Sequence, residues 1–295
     1  MLWLAMTVLS LIAACCYAFF VEPRRLTFRT VTIEFDDYRL PVEKLVILHL
    51  TDLHFQRNES YKVSMFQRIA ALTPDVAVIT GDLIERDDGI QLCVEQISRL
   101  QAQLGIYCVL GNHDHFRSGG NFFEDIIYAA MNVIYVDRKL RNDVSALVRQ
   151  LEDVGARVLR NGNTRLPVGA GEVWLIGVDD PVCQNDDLRK GMVGVPDGAF
   201  KILLSHSPEL MDDAAAAGID VVLAGHTHGG QIRVPFFGAL RTRTRKPVDA
   251  ASGLSRRGAT WLHISPGLGG SVPLRFLCPP QATIVELKRR KPSED

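Results

Sequence analysis

Residues 223–230 read LAGHTHGG: an apolar run closes on His226 and His228, one residue apart, and two glycines follow. A run such as DVVLAG reads as a buried strand. A buried strand does not ordinarily finish on two imidazoles that hold nothing. The same form recurs along the chain. KLVILHLTDLH ends on Asp52 and His54, DVAVITGD on Gly81 and Asp82, and AFKILLSH on Ser205 and His206. IYCVLGNHD ends on Gly111, Asn112, His113 and Asp114. Each polar cluster follows an apolar strand at its carboxyl end, where ligand sites gather in α/β sheets.

Taken singly, each cluster has an ordinary explanation. A strand-end Asp caps the next helix, and a lone His is a satisfied core or surface residue. Five such ends in one chain point instead to a shared metal site. Asp52, His54, Asp82, Asn112, His206, His226 and His228 make seven candidate ligands, too many for one tetrahedral zinc. Two divalent ions sharing a carboxylate account for all of them. Oxygen and imidazole donors without cysteine suit Mn, Fe, Zn or Co. Two dications less two carboxylates leave positive charge, which suits a phosphate ester. Ions about 3.5–4 Å apart can clamp both oxygens of an in-line displacement. The glycines before Asp82, Asn112 and His226 let backbone approach such ions closely.

Around these clusters the chain alternates apolar strands with helix-period segments. The spacing predicts a strand over 26–35, helices over 61–72, 90–104, 121–131, 143–154 and 209–217, and short strands at 133–136 and 157–159. The second half adds the strands EVWLIGVDD, QIRVP, TWLHIS and ATIVEL. The class is therefore α/β, with sheets covered by helices. With 47% hydrophobic and 23% charged residues, the 295-residue chain has enough apolar side chain for one large domain. Its net charge of −1 creates no global field for nucleic acid, which is not expected as a partner.

The first 21 residues carry no charged side chain, whereas Arg24, Arg25 and Arg29 follow them. A cleaved signal peptide usually begins with a basic segment, which is missing here. Positive charge after the apolar run marks the cytoplasmic side. The expected arrangement is a retained single-pass anchor in a bacterial inner membrane with the main domain in the cytoplasm. Against this stands Ile12-Ala13-Ala14-Cys15, which has the form of a lipoprotein cleavage box. The six cysteines show no CxxC spacing and fit a reducing compartment. The expected division is an anchor over 1–22, a linker and first strand over 23–44, the catalytic domain over 45–288 and a disordered tail over 289–295.

The ordered set DLH, GD, GNHD, SH, GHTH resembles the calcineurin-like metallophosphoesterase family over roughly residues 45 to 287. The resemblance implies a double β-sandwich flanked by helices, with two metals at strand ends. It implies that Asp52, His54, Asp82 and His228 hold one ion, and that Asp82, Asn112, His206 and His226 hold the other. His113 would protonate the leaving oxygen or, alternatively, serve as a further ligand, and Asp114 would orient its ring. HGGQIRVP, SPGLGG and PLRFLCPP further resemble the membrane-associated bacterial branch. That branch includes pyrophosphatases acting on UDP-2,3-diacylglucosamine in lipid A biosynthesis, and manganese is the first choice of metal.

Other residues carry weaker expectations. Arg275 and His115 are candidate substrate contacts, although Arg275 would serve equally well in an ion pair. His49 and His263 lie inside apolar strands and are expected in the core. Phe122, Phe123, Ile126, Ile127 and Ala130 share one helical stripe, a second candidate for a lipid-facing surface, and are expected in the core. Phe236 and Phe237, followed by RTRTRK at 241–246, would either meet an anionic membrane or pack inward beside solvated arginines. The functional expectation is hydrolysis of a lipid-linked phosphodiester or pyrophosphate. An exported or lipid-anchored phosphodiesterase acting on envelope polymer or cyclic nucleotide is the alternative, and a non-catalytic scaffold is a third class.

Overall fold

The computed structural model describes residues 1–36, 39–118, 122–131, 137–239, 241, 242, 244 and 251–290. Two six-stranded sheets form its centre. The first holds β1 (Thr27–Phe35), β2 (Lys44–Leu50), β3 (Val76–Thr80), β4 (Ile106–Val109), β5 (Ala156–Val158) and β14 (Gln281–Arg289), in the order β1-β14-β2-β3-β4-β5. The second holds β6 (Gly162–Val168), β7 (Gly171–Gly177), β8 (Phe200–Leu204), β9 (Val221–Ala224), β12 (Gly253–Arg257) and β13 (Thr260–Ile264), in the order β12-β13-β9-β8-β7-β6. A small hairpin pairs β10 (Arg233–Val234) with β11 (Gly238–Ala239).

Period-2 patterning builds the layers. Leu45 and Ile47 of β2 face inward, against Phe200, Ile202 and Val221 of the other sheet. Leu48 and Leu50 of the same strand face outward, under α2 (Ser60–Ile69), α3 (Ile90–Ile97) and α6 (Val144–Asp153). On the far side, Leu203, Val222 and Ile264 pack beneath α8 (Met211–Ala216). The result is helix, sheet, sheet, helix. His49 and His263 meet in the interior as expected, their Nδ1 atoms 3.0 Å apart across the two sheets.

Strands β2, β3, β4 and β5 run parallel, as do β7, β8, β9 and β13. Parallel neighbours bring their carboxyl ends to one edge, and the polar clusters follow β2, β3, β4, β8 and β9. One expected boundary changes: the helix expected over 90–104 ends at Ile97, and the chain re-enters the sheet through Gly105 (φ +101°) before β4. The strand expected at 133–136 lies outside the described residues, as do 291–295 of the expected tail. Arg289 closes β14, and Arg290 pairs with Glu34 and Asp36.

At the amino end, α1 (Leu2–Cys16) buries no residue. With the two short turns that follow, it makes a 23-residue stretch, Leu2–Arg24, long and apolar enough to cross a membrane. Its last turns belong to the globular part. Ala18 is buried, and the buried Glu22 carboxylate accepts from the backbone N–H groups of Leu277 (2.9 Å) and Cys278 (2.5 Å). Two surface stretches expose apolar side chains, the first against its core expectation and the second as one of its two alternatives. In α5 (Phe122–Met131), Phe123 and Ile127 are exposed while Ile126 is packed; the side chains at 122 and 130 lie outside the described set. Phe236 and Phe237 both project outward from the β10–β11 turn. Of the RTRTRK cluster, residues 243, 245 and 246 lie outside the described residues.

Candidate metal centre

The backbone at the strand ends is bent to aim side chains into one space. Asp52, His54, Asp82, His226 and His228 all have φ between +47° and +68°. Non-glycine residues in this left-handed region cost about 1–3 kcal/mol each and persist only where neighbours over-determine them. Backbone bonds do so here. Asp52 N–H donates to Gly81 O (3.1 Å), His54 N–H to Asp82 O (2.9 Å) and Gly225 N–H to His206 O (2.9 Å). The His226 N–H crosses between sheets to Asp52 Oδ2 (3.0 Å). Two glycines are obligatory by contact. A Cβ at Gly225 would sit 1.9 Å from Thr51 Oγ1, and one at Gly111 would sit 2.3 Å from Asp82 Oδ1.

The side chains converge in two groups that share Asp82. In the first, His54 Nε2 lies 3.3 Å from Asp82 Oδ2, and His228 Nε2 lies 3.3 Å from Asp52 Oδ1. In the second, His206 Nε2 is 3.3 Å from the same Asp82 Oδ2 and 3.1 Å from His226 Nδ1. Asn112 ends the neighbouring β4 segment, and neither atom of its buried amide has a hydrogen-bond partner. Asp52 Oδ1 and His54 Nε2 are likewise buried without one. Ligand atoms each about 2.1 Å from one ion lie about 3.0–3.4 Å apart at octahedral or tetrahedral angles. The observed separations and the uncommitted buried donors fit divalent ions.

Ring orientation is set from behind, as metal sites require. His206 Nδ1 bonds Thr80 O (2.8 Å) and His228 Nδ1 approaches Gly269 O at 3.3 Å, which leaves Nε2 of each ring toward the centre. His54 Nδ1 bonds Glu85 Oε2 at 2.7 Å, and the buried Lys62 donates to His54 O at 2.6 Å. Burial alone would lower the imidazole pKa values. Asp82 and Glu85 reverse this at His54, to about 9, and Asp82 and Asp52 reverse it at His206, to about 10. Burial works against the Asp82 anion, but the facing His206 and His113 hold that carboxyl well below its usual range.

His113 is buried at the edge of the centre, its N–H donating to Asp82 Oδ1 (2.8 Å). Its Nδ1 is 3.2 Å from Glu85 Oε2. The expected partner, Asp114, is engaged elsewhere: it accepts from the N–H groups of Leu83 (2.8 Å), Ile84 (3.0 Å) and Gly111 (2.8 Å). Asp114 therefore ties the GNHD turn to the GDLIE turn, and Glu85 faces the His113 ring. Glu85 and Lys62 are the residues the sequence reading missed. Glu85 stands three residues after Asp82, and Lys62 is a charge on the buried face of α2; either position was a usable signal.

The two candidate substrate contacts are placed differently from expectation. The Arg275 guanidinium is buried and donates to the carbonyls of Cys278, Pro266 and Gly269, so it braces the loop behind His228. Backbone carbonyls satisfy it without a phosphate or an acidic partner. His115 Nε2 bonds Asp179 Oδ1 at 2.7 Å, and Asp179 in turn holds Arg160 at 2.9 Å. Burial would lower the His115 pKa, but Asp179 keeps it above the ordinary value.

Comparison with known proteins agrees with this geometry. The family model of the calcineurin-like phosphoesterases matches residues 45–230. A metallophosphoesterase of Bacillus subtilis, YkuE, is 28% identical over 92% of this chain and 89% of its own. The UDP-2,3-diacylglucosamine pyrophosphatase LpxG of Chlamydia muridarum is 25% identical over 84% of this chain and 87% of its own. A transmembrane protein with metallophosphoesterase domain from Bos taurus is 30% identical over 68% of this chain and 44% of its own. Members of the matched family bind a divalent metal centre, and the Asp and His groups at the strand ends are where this chain could hold one. With the family model spanning most of the chain and the strand-end donors gathered around Asp82, the protein belongs to the calcineurin-like phosphoesterases and is a metal-dependent phosphoester hydrolase.

Proposed function

We propose that the protein hydrolyses a phosphodiester or pyrophosphate bond in a membrane-resident, lipid-linked nucleotide sugar such as UDP-2,3-diacylglucosamine, at the cytoplasmic face of a bacterial inner membrane. The observation that carries the two-ion reading is Asp82 Oδ2, 3.3 Å from both His54 Nε2 and His206 Nε2. In this reading Asp52, His54, Asp82 and His228 would hold one ion, and Asp82, Asn112, His206 and His226 would hold the other. Two divalent ions, manganese first, would supply Lewis-acid charge against the phosphoryl oxygens when bound.

The chain supplies the rest. Glu85 Oε2 stands 3.2 Å from His113 Nδ1 and faces that side of the ring, which leaves Nε2 as the ring atom to give a proton to the leaving oxygen. The likeness to LpxG supports the lipid-linked substrate, and the apolar Leu2–Arg24 stretch supports a membrane address. The burial of Ala18 and Glu22 against the globular part favours a retained segment.

The test is UMP release from UDP-2,3-diacylglucosamine by the detergent-purified full chain with Mn²⁺, with Asp82→Ala as the blank. Release that the blank lacks supports the proposal. Turnover of bis-p-nitrophenyl phosphate without UMP release would keep the hydrolase and overturn the substrate.

A further inference from the structure

We infer that the exposed apolar residues of α5 and the tip of the β10–β11 hairpin form a second membrane contact, which inserts into the lipid interface beside the anchor and holds the metal centre at the bilayer surface. This rests on the reading of Leu2–Arg24 as a membrane anchor. In α5, Phe123, Ile127 and Met131 follow one another at four-residue spacing and are 75%, 53% and 53% exposed. At the hairpin tip, Phe236 and Phe237 are 106% and 82% exposed, and Phe236 is held outward by a left-handed backbone (φ +67°). Large apolar side chains in contiguous exposed groups mark interaction surfaces.

A bilayer is the occupant because these groups are continuous with the anchor. One small apolar cluster joins Ala18 and Phe19 at the end of the anchor, Ile126 of α5, Ile232 at the base of the hairpin, and Val272 and Leu274 of a connecting loop. The exposed Phe20 and Val21 end the apolar run, and Arg24 and Arg25 follow after Glu22 and Pro23, the order in which apolar and cationic side chains cross a membrane interface. A soluble protein partner would have to meet the apolar anchor as well.

The same cluster connects to the metal centre within a few residues. His228 Nδ1 approaches Gly269 O, three residues before Val272, and Cys278 Sγ donates to His228 O at 3.3 Å. On the other side, α5 follows the short helical turn that carries Asn112 and His113, with Ser118 Oγ bonded to Asp125. A lipid contact through α5 and the hairpin would therefore lie within a few residues of the metal centre on both sides. An amphiphile can present its phosphate to the centre there while its acyl chains stay in the bilayer.

The test measures insertion depth independently of hydrolysis. In a full-length Trp3→Phe background, single added tryptophans at Phe237→Trp, Ile127→Trp and Val193→Trp are reconstituted into phosphatidylethanolamine–phosphatidylglycerol vesicles with brominated acyl chains. Val193 is 72% exposed on the loop whose carbonyl binds Asn163 at the β6 edge, and it serves as the control. The expected result is loss of the added emission at 237 and 127 with none at 193. Phe123→Trp substitutes if Ile127→Trp does not fold. Co-flotation with vesicles but unquenched emission at 237 and 127 overturns the inference and leaves the anchor and the hydrolase standing. Quenching at all three positions overturns it as well, and failure to float removes the anchor on which it rests.

Discussion

Two buried histidine pairs in this molecule have almost the same geometry and opposite chemistry. His206 and His226 bring ring nitrogens to 3.1 Å, and His49 and His263 bring theirs to 3.0 Å. All four side chains are buried. The first pair stands among carboxylates, and Asp82 and Asp52 push the His206 pKa up to about 10 against the effect of burial. The second pair lies inside regular strands with only Thr80 Oγ1 added, 2.9 Å from His49 Nε2. Burial, with the Arg29 charge adding to it, takes His263 down to about 3, and burial with His263 lowers His49. Proximity of imidazoles is therefore not what makes a metal centre. Anions beside them and a backbone bent to expose their lone pairs do so.

The hardest way to break this contrast is Asp82→Ala. It removes the shared carboxylate, and the proposed two-ion centre should lose both ions and activity to background. Metal content by mass spectrometry and turnover of bis-p-nitrophenyl phosphate check this; two ions retained would refute the bridge. His113→Ala should keep the metals and slow esters with poor leaving groups by about 10²–10⁴-fold. The loss should be much smaller for p-nitrophenolate, which needs no proton. Glu85→Gln should fall between wild type and His113→Ala, at about 10–100-fold in activity or metal affinity, because it loosens both His54 and His113.

Proton linkage sharpens the comparison further. In metal-free protein, His54 and His206 have raised pKa values of about 9 and 10. Their protonated forms stabilise the fold fully below the unfolded value of about 6.5, and that contribution is lost as pH rises through 9 and 10. EDTA-treated protein should thus lose melting temperature between pH 7 and pH 10 more steeply than metal-loaded protein. Metal loading at pH 7 should also release protons, read by calorimetry in two buffers of different ionisation enthalpy. The smallest effect is expected at the other pair. His49→Leu should cost about 1–3 kcal/mol in urea unfolding by leaving His263 without its partner, with metal content and turnover close to wild type.

Much of this centre was legible because strand ends write it locally. Asp52, His54, Asp82, Asn112, His206, His226 and His228 each follow an apolar run, and parallel strands carry them to one edge. What stayed hidden was contact across sequence. Nothing local says that Glu85 rather than Asp114 faces His113, since that depends on how two turns pack after β3 and β4. Arg275, beside the glycines of SPGLGG, read as either a phosphate contact or half of an ion pair; only the fold shows its guanidinium used by three carbonyls. The stripe of α5 read as core because periodicity reports that a helix has an apolar side and not what covers it. Strands β6 and β12 escaped because edge strands such as GNTRLPV and GLSRR carry too little apolar alternation to register.

Glu22 decides where the gene can be cut. Its carboxylate caps the N–H groups of Leu277 and Cys278, and Cys278 Sγ touches the carbonyl of His228. A soluble version started at residue 26 would strip the buried Cys278 N–H and the part-buried Leu277 N–H of their acceptor, a few bonds from the His228 imidazole of the candidate metal centre. A version started at Tyr17 keeps that latch and discards only the helix that buries nothing.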